Sequence, residues 1–479
     1  LSGTKPIFDV DKFANFAEWY QEILWVSDLI DARYPAKGMI VWKPYGLKAL
    51  RLTQRIMIEL LEETGHQEAY FPTMIPESVF AREKEFLEGF GGDTFVVEGT
   101  GTRKFNEKLY VRPTSETVMY YMWSMWIKGR KDLPIKMYQL VNVFRYETKA
   151  THPILRVREI VSFIEAHTAH ATREEAEKQM AEAVGIYKEF YNRLRIPYFI
   201  VKTAPWDTFS GAEYNYDFIT VMPDGKGLEL GSVINLGQRF SKAFDIRFMD
   251  EDGSYKYVYQ TCYGISERSL GAIIAVHGDR RGLFFPPEVA PIQVVIVPIA
   301  KPGEEYVLQY AHRISKILRE RGVRSFVDDD PEHTPGWKYY YWEMKGVPTR
   351  IEVGRREVES NTVTIARRDS LQKVVIPIER VVESLAHIWA EINDVLYSRA
   401  LEQLKKLTKI VEDPSKAVDF KGLIITPWDE SRECADKLEA LSNRQVLGTI
   451  IESPLPLPEA GAGVCNSSTN KWTLLGVTY

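Results

Sequence analysis

Cysteine is scarce in this chain: Cys262, Cys434 and Cys465 are the only three in 479 residues. Three thiols cannot build a disulfide framework, and such usage suits a reducing cytoplasm. Long apolar runs are missing as well. No stretch reaches the ~20 residues that a membrane-spanning helix needs, and the opening LSGTKPIFDV has no signal-peptide core. Its lack of an initiator methionine is expected of a trimmed or partly ordered N-terminus. Nor is there an excess of positive charge: 61 Lys and Arg stand against 66 Asp and Glu, for a net charge of −5. That balance argues against bulk attraction to nucleic acid and does not exclude a local basic face. What is present is ordinary for a soluble globular protein, with 45% hydrophobic and 27% charged residues. The length accommodates two to three domains with cores of their own.

The most informative stretch is residues 142–170, NVFRYETKATHPILRVREIVSFIEAHTAH. Phe144-Arg145-Tyr146-Glu147 precede a polar loop with His152-Pro153. The chain returns through Arg156-Val157-Arg158-Glu159 and an apolar run to Glu165, His167 and His170. Both halves favour strand residues, so an antiparallel hairpin is predicted, with charge at its tip and on one face. Arginine suits bidentate contact with phosphate or carboxylate, which makes the hairpin a candidate polyanion clamp. A solvated, salt-bridged hairpin is the plainer reading of any single Arg-x-Glu triplet. The second arginine–glutamate cluster, followed by Glu165 and His167 on a strand, favours the clamp.

Upstream, residues 13–34 read as an amphipathic helix ended by Pro35. Residues 46–64 read as a second helix closed by Gly65, and residues 67–74, with Pro72, as a strand. Residues 89–101 hold five glycines and are a candidate lid. In Leu109–Thr117 a strand ends at Pro113 and a helix begins at Thr114. A Thr N-cap and a Glu116 that complements the helix dipole explain both residues; a pocket that holds a cationic amino group explains them equally. Residues 173–194 form a Glu/Lys-rich amphipathic helix with a solvated face. Residues 228–237, LELGSVINLG, read as a strand. The run 260–268, QTCYGISER, delivers Arg268 to the start of an apolar helix, where a helix N-terminus and a guanidinium together suit a phosphate. Beyond Phe285-Pro286-Pro287, a strand over 290–299, a helix over 304–321 and a strand over 323–328 predict a separate α/β domain with a mixed sheet. A helix over 381–407 leads to the last segment.

In that order these stretches resemble the three signatures of class II aminoacyl-tRNA synthetases. Arg112-Pro113-Thr114-Ser115-Glu116 and Glu165-Ala166-His167-Thr168-Ala169-His170 resemble the prolyl-tRNA synthetase version of them. The resemblance implies an α/β (α+β) architecture: an antiparallel-sheet catalytic domain over residues 1–285, an α/β anticodon-binding domain over 288–395 and a small C-terminal α/β domain over 400–479. It also implies a cytoplasmic homodimer whose interface is built by the first signature. The activity implied is ATP-dependent conversion of L-proline to prolyl-adenylate and transfer to tRNA(Pro), with Mg²⁺. By the same resemblance Arg145 reaches the α-phosphate and the amino-acid carboxylate, and Arg268 the γ-phosphate. Glu147 meets the adenine amino group, Arg156 supports the phosphates, and Glu229 ligates Mg²⁺ with the Ser232 hydroxyl nearby. Thr114 and Glu116 hold the ring nitrogen of proline, while Phe163, Glu165 and His167 line its pocket. The substrate carboxylate is itself the nucleophile, so no activated side chain is required, and positioning and positive charge carry the rest.

Some positions depart from the family. Ile234 stands where a histidine that helps hold proline is common. The positions that often carry four zinc cysteines read Asp429, Cys434, Ala462 and Cys465. A four-cysteine site is excluded; a zinc site of Asp429, Cys434 and Cys465, or a metal-free domain with two buried thiols, are the open readings. Glu343 and Arg350 fall where the family reads anticodon guanines, and Lys345 is a candidate for backbone contact; a solvated, charged helix end is the alternative. Roughly 110 residues separate the hairpin from Arg268, too few for the editing insertion of the bacterial type, so the archaeal/eukaryotic type is expected. Tyr479 matches a C-terminal tyrosine that docks near the catalytic domain. A sister enzyme for threonine or glycine would share the signatures but not the 112–116 and 165–167 motifs. A non-catalytic tRNA-binding relative would have lost one of Arg145, Glu147 or Arg268.

Overall fold

The structure, a computed structural model, describes residues 8–82, 94–147, 150–465 and 468–479. Of the glycine-rich stretch 89–101, residues 89–93 lie outside the described residues, and Val96–Gly99 form a strand paired antiparallel with Lys104–Val111. Helix α1 (Phe16–Val26) is capped by Asn15, whose side chain accepts the Glu18 amide, and buries Phe16, Trp19, Tyr20, Ile23 and Leu24 at helical spacing. It ends well before residue 34. The Ser27 amide closes on Ile23, Asp28 turns at φ +59°, and Ile30–Asp31 pair with Val41–Trp42 instead. Helix α2 (Pro44–Glu63) begins with proline at its first turn, where no amide donor is needed. Gly65, at φ +83°, turns the chain out of it as expected.

An eleven-stranded sheet organises most of the molecule. Its strands in chain order are β1 (Gln67–Glu68), β2 (Ile135–Phe144), β3 (Glu159–His170), β4 (Phe199–Lys202), β5 (Tyr214–Val221), β6 (Gly227–Gly237) and β7 (Tyr259–Ile265), and four more from the C-terminal part of the chain. The predicted hairpin is the antiparallel pair β2–β3, in which Gln139 faces Glu165 and Met137 faces His167. Alternation along the strands splits the core in two. Ile164, Ala166, Val233, Tyr263 and Ile265 join one apolar cluster with α2 and with α4 (Arg173–Arg193). Ala169, Ile234 and Cys262 join another, with α3 (Glu116–Trp126) lying between β1 and β2 in sequence. Helix α4 keeps its charged face in water, and with Met180, Ala183, Ile186, Tyr187 and Phe190 it covers the sheet. Helix α5 (Arg268–His277) follows β7 and is buried at every position from Ser269 onward.

The second unit carries the mixed sheet that was expected: β8 (Val294–Pro298) lies between β9 (Ser325–Val327) and β10 (Thr349–Val353), both parallel to it, and β11 (Thr362–Arg367) and β12 (Lys373–Pro377) continue antiparallel. Helices α6 (Glu305–Glu320) and α8 (Val381–Lys406) pack into its main core, while α7 (Pro335–Met344) contributes Trp342 to a smaller cluster with Val295, Val297 and Val347. Arg368 pins this unit to the first: its guanidinium donates to both Asp279 oxygens at 2.7 and 3.0 Å and to the Leu283 carbonyl.

Residues 400–479 do not stand apart from the catalytic sheet. The strands β13 (Thr408–Ile410), β14 (Leu423–Pro427), β15 (Gln445–Glu452) and β16 (Trp472–Gly476) extend it, with β15 pairing antiparallel to β4 through Ile450 and Val201. The zinc reading fails here. Cys434, in the first turn of α9 (Arg432–Ser442), is disulfide-bonded to Cys465, so the two thiolates a metal would need are consumed. Asp429 accepts the Ser431 amide at 2.9 Å instead. The alternative of a metal-free domain with two buried thiols is corrected by the same bond, which leaves neither sulfur as a thiol.

Two consequences are measurable. The disulfide closes a sequence separation of 31 residues, worth about 3–4 kcal/mol of chain entropy. Reductant should therefore lower the unfolding midpoint of the wild type, and the Cys434→Ser/Cys465→Ser variant should show the same loss without reductant. Glu267 is fully buried, with one oxygen accepting Ser162 Oγ at 3.0 Å, and burial pushes its carboxyl up to about 7. A folded pKa above the unfolded one gives stability that is full below about 4.5 and lost as pH rises through 7. Glu267→Gln should thus gain on the wild type as pH rises from 4.5 to 8, by on the order of 3 kcal/mol, read as thermal midpoints across pH.

Candidate active site

Two rows of residues that cross the sheet build the floor of a cleft. In one, Ile234 of β6 is opposite Cys262 of β7, which is opposite His167 of β3. In the next, Ser232 is opposite Gly264, and Gly264 is opposite Glu165, whose other neighbour is Gln139. Position 264 is tight: a Cβ there would come within 3.2 Å of the Ile164 carbonyl and of the Phe163 ring, which lines the cleft as an aromatic wall. The cleft holds about 210 Å³ and is closed at one side by Thr114 and Glu116, delivered by the start of α3.

Its inner end is acidic and densely hydrogen-bonded. Thr114 Oγ1 donates to Glu116 Oε2 at 2.6 Å and lies 3.2 Å from Glu165 Oε2. Glu165 further accepts the Ser115 amide at 3.2 Å, the Ser115 hydroxyl, and Gln139 Nε2 at 2.9 Å. Burial raises the Glu165 carboxyl, but His167 and the Ser115 and Gln139 hydrogen bonds outweigh it and hold the group below the usual carboxylate range. Glu116 has fewer donors; burial pushes it up, against the pull of His167. The Cys262 thiol is pushed well up by burial and by Glu116, whose Oε1 lies 3.8 Å from its sulfur. His167 Nδ1 is 2.9 Å from the Tyr120 hydroxyl.

The outer end is cationic. Arg145 Nε donates to the Pro113 carbonyl at 2.9 Å, and its guanidinium lies 5.5 Å from the centre of the Phe163 ring. Burial lowers its pKa somewhat, which Glu116 opposes. Arg268 Nε donates to the Leu155 carbonyl at 3.2 Å and Nη1 to the Glu229 carbonyl at 3.1 Å. Backbone oxygens thus orient both guanidiniums, and Arg268 Nη1 also lies 4.0 Å from a Glu229 carboxylate oxygen. Glu229 is half-exposed at the rim, where Ser232 Oγ donates to it at 3.2 Å. Just outside, Arg156 Nη1 is 3.6 Å from Glu147, and Arg156 Nη2 donates to the Tyr479 carbonyl at 2.6 Å.

Thr114, Glu116, Arg145, Phe163, Glu165, His167, Glu229, Ser232 and Arg268 are thus brought to one cleft, with Glu147 and Arg156 beside it. The three residues singled out in the second unit are elsewhere and mostly enclosed. Arg350 Nη1 donates to Glu343 at 2.9 Å and Nη2 to Glu352 at 3.0 Å, and Glu343 also accepts from Arg281. Lys345 is buried at the boundary between the units, 3.3 Å from Asp28 and over the Tyr45 ring. Sequence reasoning missed Ser115, Tyr120, Gln139 and Asp217. Tyr120 was within reach, being four residues after Glu116 on the same helix face. Gln139 enters only through the β2–β3 register. Asp217 is opposite Ser232 on β5, and burial and then Glu229 push its carboxyl up to about 7.

The chain is similar to known proteins along nearly its whole length. The tRNA synthetase class II core domain (G, H, P, S and T) matches residues 95–277, and an anticodon binding domain matches residues 293–388. The chain is 46% identical over 453 residues to a proline–tRNA ligase of Pyrococcus abyssi, which covers 94% of this chain and 93% of that one. It is 44% identical over 477 residues to that of Ignicoccus hospitalis, covering 98% and 100%. Among solved structures, the Giardia lamblia prolyl-tRNA synthetase in complex with prolyl-adenylate superposes with a TM-score of 0.93 at 33% identity, over 98% of this chain and 100% of that one. A class II core with this cleft, followed by an anticodon domain and matched along nearly its whole length, places the chain in the proline–tRNA ligase family.

Proposed function

We propose that the acidic inner end of the cleft seats the ring nitrogen of proline and that the two arginines at its outer end meet the carboxylate and the phosphates of ATP. The observation that carries this reading is the polarity of the cleft: buried Glu116 and Glu165 at one end, the Arg145 and Arg268 guanidiniums at the other, and Phe163 between them. A secondary ammonium needs acceptors, which Thr114, Glu116 and Glu165 supply. The apolar ring needs a wall, which Phe163 and Ile234 supply. The carboxylate points outward, where Arg145 orients it for in-line attack on the α-phosphorus.

In that step a carboxylate oxygen forms the new bond to phosphorus and pyrophosphate leaves with the broken bond's electrons. Arg145 and Arg268 stabilise charge that spreads over the phosphate oxygens, from positions fixed beforehand. Transfer follows when a terminal tRNA hydroxyl attacks the prolyl carbonyl, loses its proton and expels AMP. Glu229, Asp217 and Ser232 are the oxygen donors that fit Mg²⁺ at the rim, where the ion supplies charge neutralisation between phosphates when bound. Glu147 and Arg156 are assigned to adenine and the phosphates. For tRNA(Pro), Glu343 and Arg350 read guanine edges in exchange for their mutual ion pair, and Lys345 ties the anticodon domain to the catalytic one. Tyr70, 74% exposed beside the sheet's terminal strand β1, and Trp126, 45% exposed on α3, support assembly as a homodimer over that edge. No helix among the described residues is long and apolar enough to cross a membrane.

The test is ATP–pyrophosphate exchange with proline, cysteine, alanine, threonine and glycine in parallel. Proline should support exchange, and Arg145→Ala should lower it by about 10²–10³-fold. Cysteine and alanine should enter the pocket but gain less, since each absent methylene is worth only ~1–3 kcal/mol. Exchange with another amino acid and none with proline would overturn the assignment of the pocket.

A further inference from the structure

Among the described residues, one group of side chains combines the donors of a thiophilic metal: Glu116, His167 and Cys262. Their ligand atoms all lie within 4.8 Å of one another, and all three residues are buried. The Cys262 sulfur and Glu116 Oε1, 3.8 Å apart, already stand near the edge length of a zinc tetrahedron with bonds of ~2.0–2.3 Å. The register explains the grouping, because Cys262 and His167 are directly opposite on β7 and β3. Two of the donors are already oriented from behind. The Tyr120 hydroxyl engages His167 Nδ1 at 2.9 Å, and Thr114 Oγ1 engages Glu116 Oε2 at 2.6 Å. This is how metal-binding imidazoles and carboxylates are commonly fixed. The nitrogen left over, His167 Nε2, is buried without a hydrogen-bond partner, its nearest carboxylate oxygen being Glu165 Oε2 at 3.5 Å. A buried polar atom in that condition asks for a ligand.

We propose that Glu116, His167 and Cys262 form a site for a single Zn²⁺-class cation whose fourth position opens into the cleft. Carboxylate, imidazole and thiolate together select zinc or cobalt over magnesium. On binding, the metal–sulfur bond forms as the Cys262 S–H bond breaks, and its proton leaves to solvent. The cation takes the Glu116 oxygen that the ring nitrogen of proline is proposed to use, so metal and amino acid exclude each other. That competition rests on the pocket assignment above; the metal site itself does not.

The test uses Co²⁺ as probe on the full chain without reductant. With Cys434 and Cys465 bonded to each other, Cys262 is the one free thiol of the chain, so a thiolate-to-cobalt charge-transfer band reports this site alone. One equivalent of Co²⁺ should give that band with tetrahedral d–d absorption, Zn²⁺ should bleach it, and Cys262→Ala should lack it. Tyr120→Phe, which leaves all three ligands in place, should keep the band and weaken affinity about 10–100-fold. Zn²⁺ should raise the proline KM in pyrophosphate exchange and leave kcat unchanged. No band at one equivalent, or a band that survives Cys262→Ala, overturns the site. A band with an unmoved proline KM overturns the competition. A band from protein that, before the metal is added, shows no exchange with proline overturns the pocket assignment and leaves the site standing.

Discussion

The antiparallel register between β3 and β7 is the constraint on which the cleft depends. It sets His167 beside Cys262 and Glu165 beside Gly264, and the two-residue period then sends Ala166 and Tyr263 to the opposite face, into the apolar layer under α2 and α4. A slip of one residue would exchange these sets, burying carboxylates in an apolar layer and opening alanine and isoleucine to the cleft. The cost of burying an unpaired carboxylate makes that slip prohibitive. The same apolar face that stabilises the sheet therefore determines which side chains can do chemistry.

Stability and function meet again around Glu165. His167 and three donors, the Ser115 amide and hydroxyl and Gln139 Nε2, hold this buried carboxylate below the usual range, whereas Glu116, with fewer, is pushed toward its neutral form. Two acids a few ångströms apart thus differ in charge because their donors differ, not because their burial does. That asymmetry gives the inner end of the cleft a fixed anion and an adjustable one. The arginines at the outer end show a complementary device: backbone carbonyls, of Pro113 for one and of Leu155 and Glu229 for the other, fix the direction of each guanidinium.

Much of this was legible in the residues. The hairpin, the placement of Arg145 and Arg268, and the mixed sheet of the second unit follow from local pattern: strand residues flanking a polar loop, a small-residue strand end before an apolar helix, βα alternation. What pattern could not supply is contact between distant segments. Gln139 becomes a partner of Glu165 only through pairing, and Asp217 meets Ser232 only because β5 lies against β6. The enclosure of Lys345 by Asp28 and Tyr45 depends on how two units dock. The cysteines were misread for the same reason. Resemblance to the family offered a metal site at these positions, while the fold of the last segment bonds the two sulfurs to each other.

The sheet's continuity has a consequence for how the molecule is made. Strand β4 lies between β5, which follows it closely, and β15, which leaves the ribosome roughly 250 residues later. Until then its outer edge presents unsatisfied amides and carbonyls beside an apolar surface. The catalytic half can assemble during synthesis, but its sheet remains open at one side until the anticodon domain and the last segment have emerged. Non-local pairing of this kind slows folding and leaves an exposed edge to be guarded meanwhile. Completion of the enzyme is thereby tied to completion of the chain.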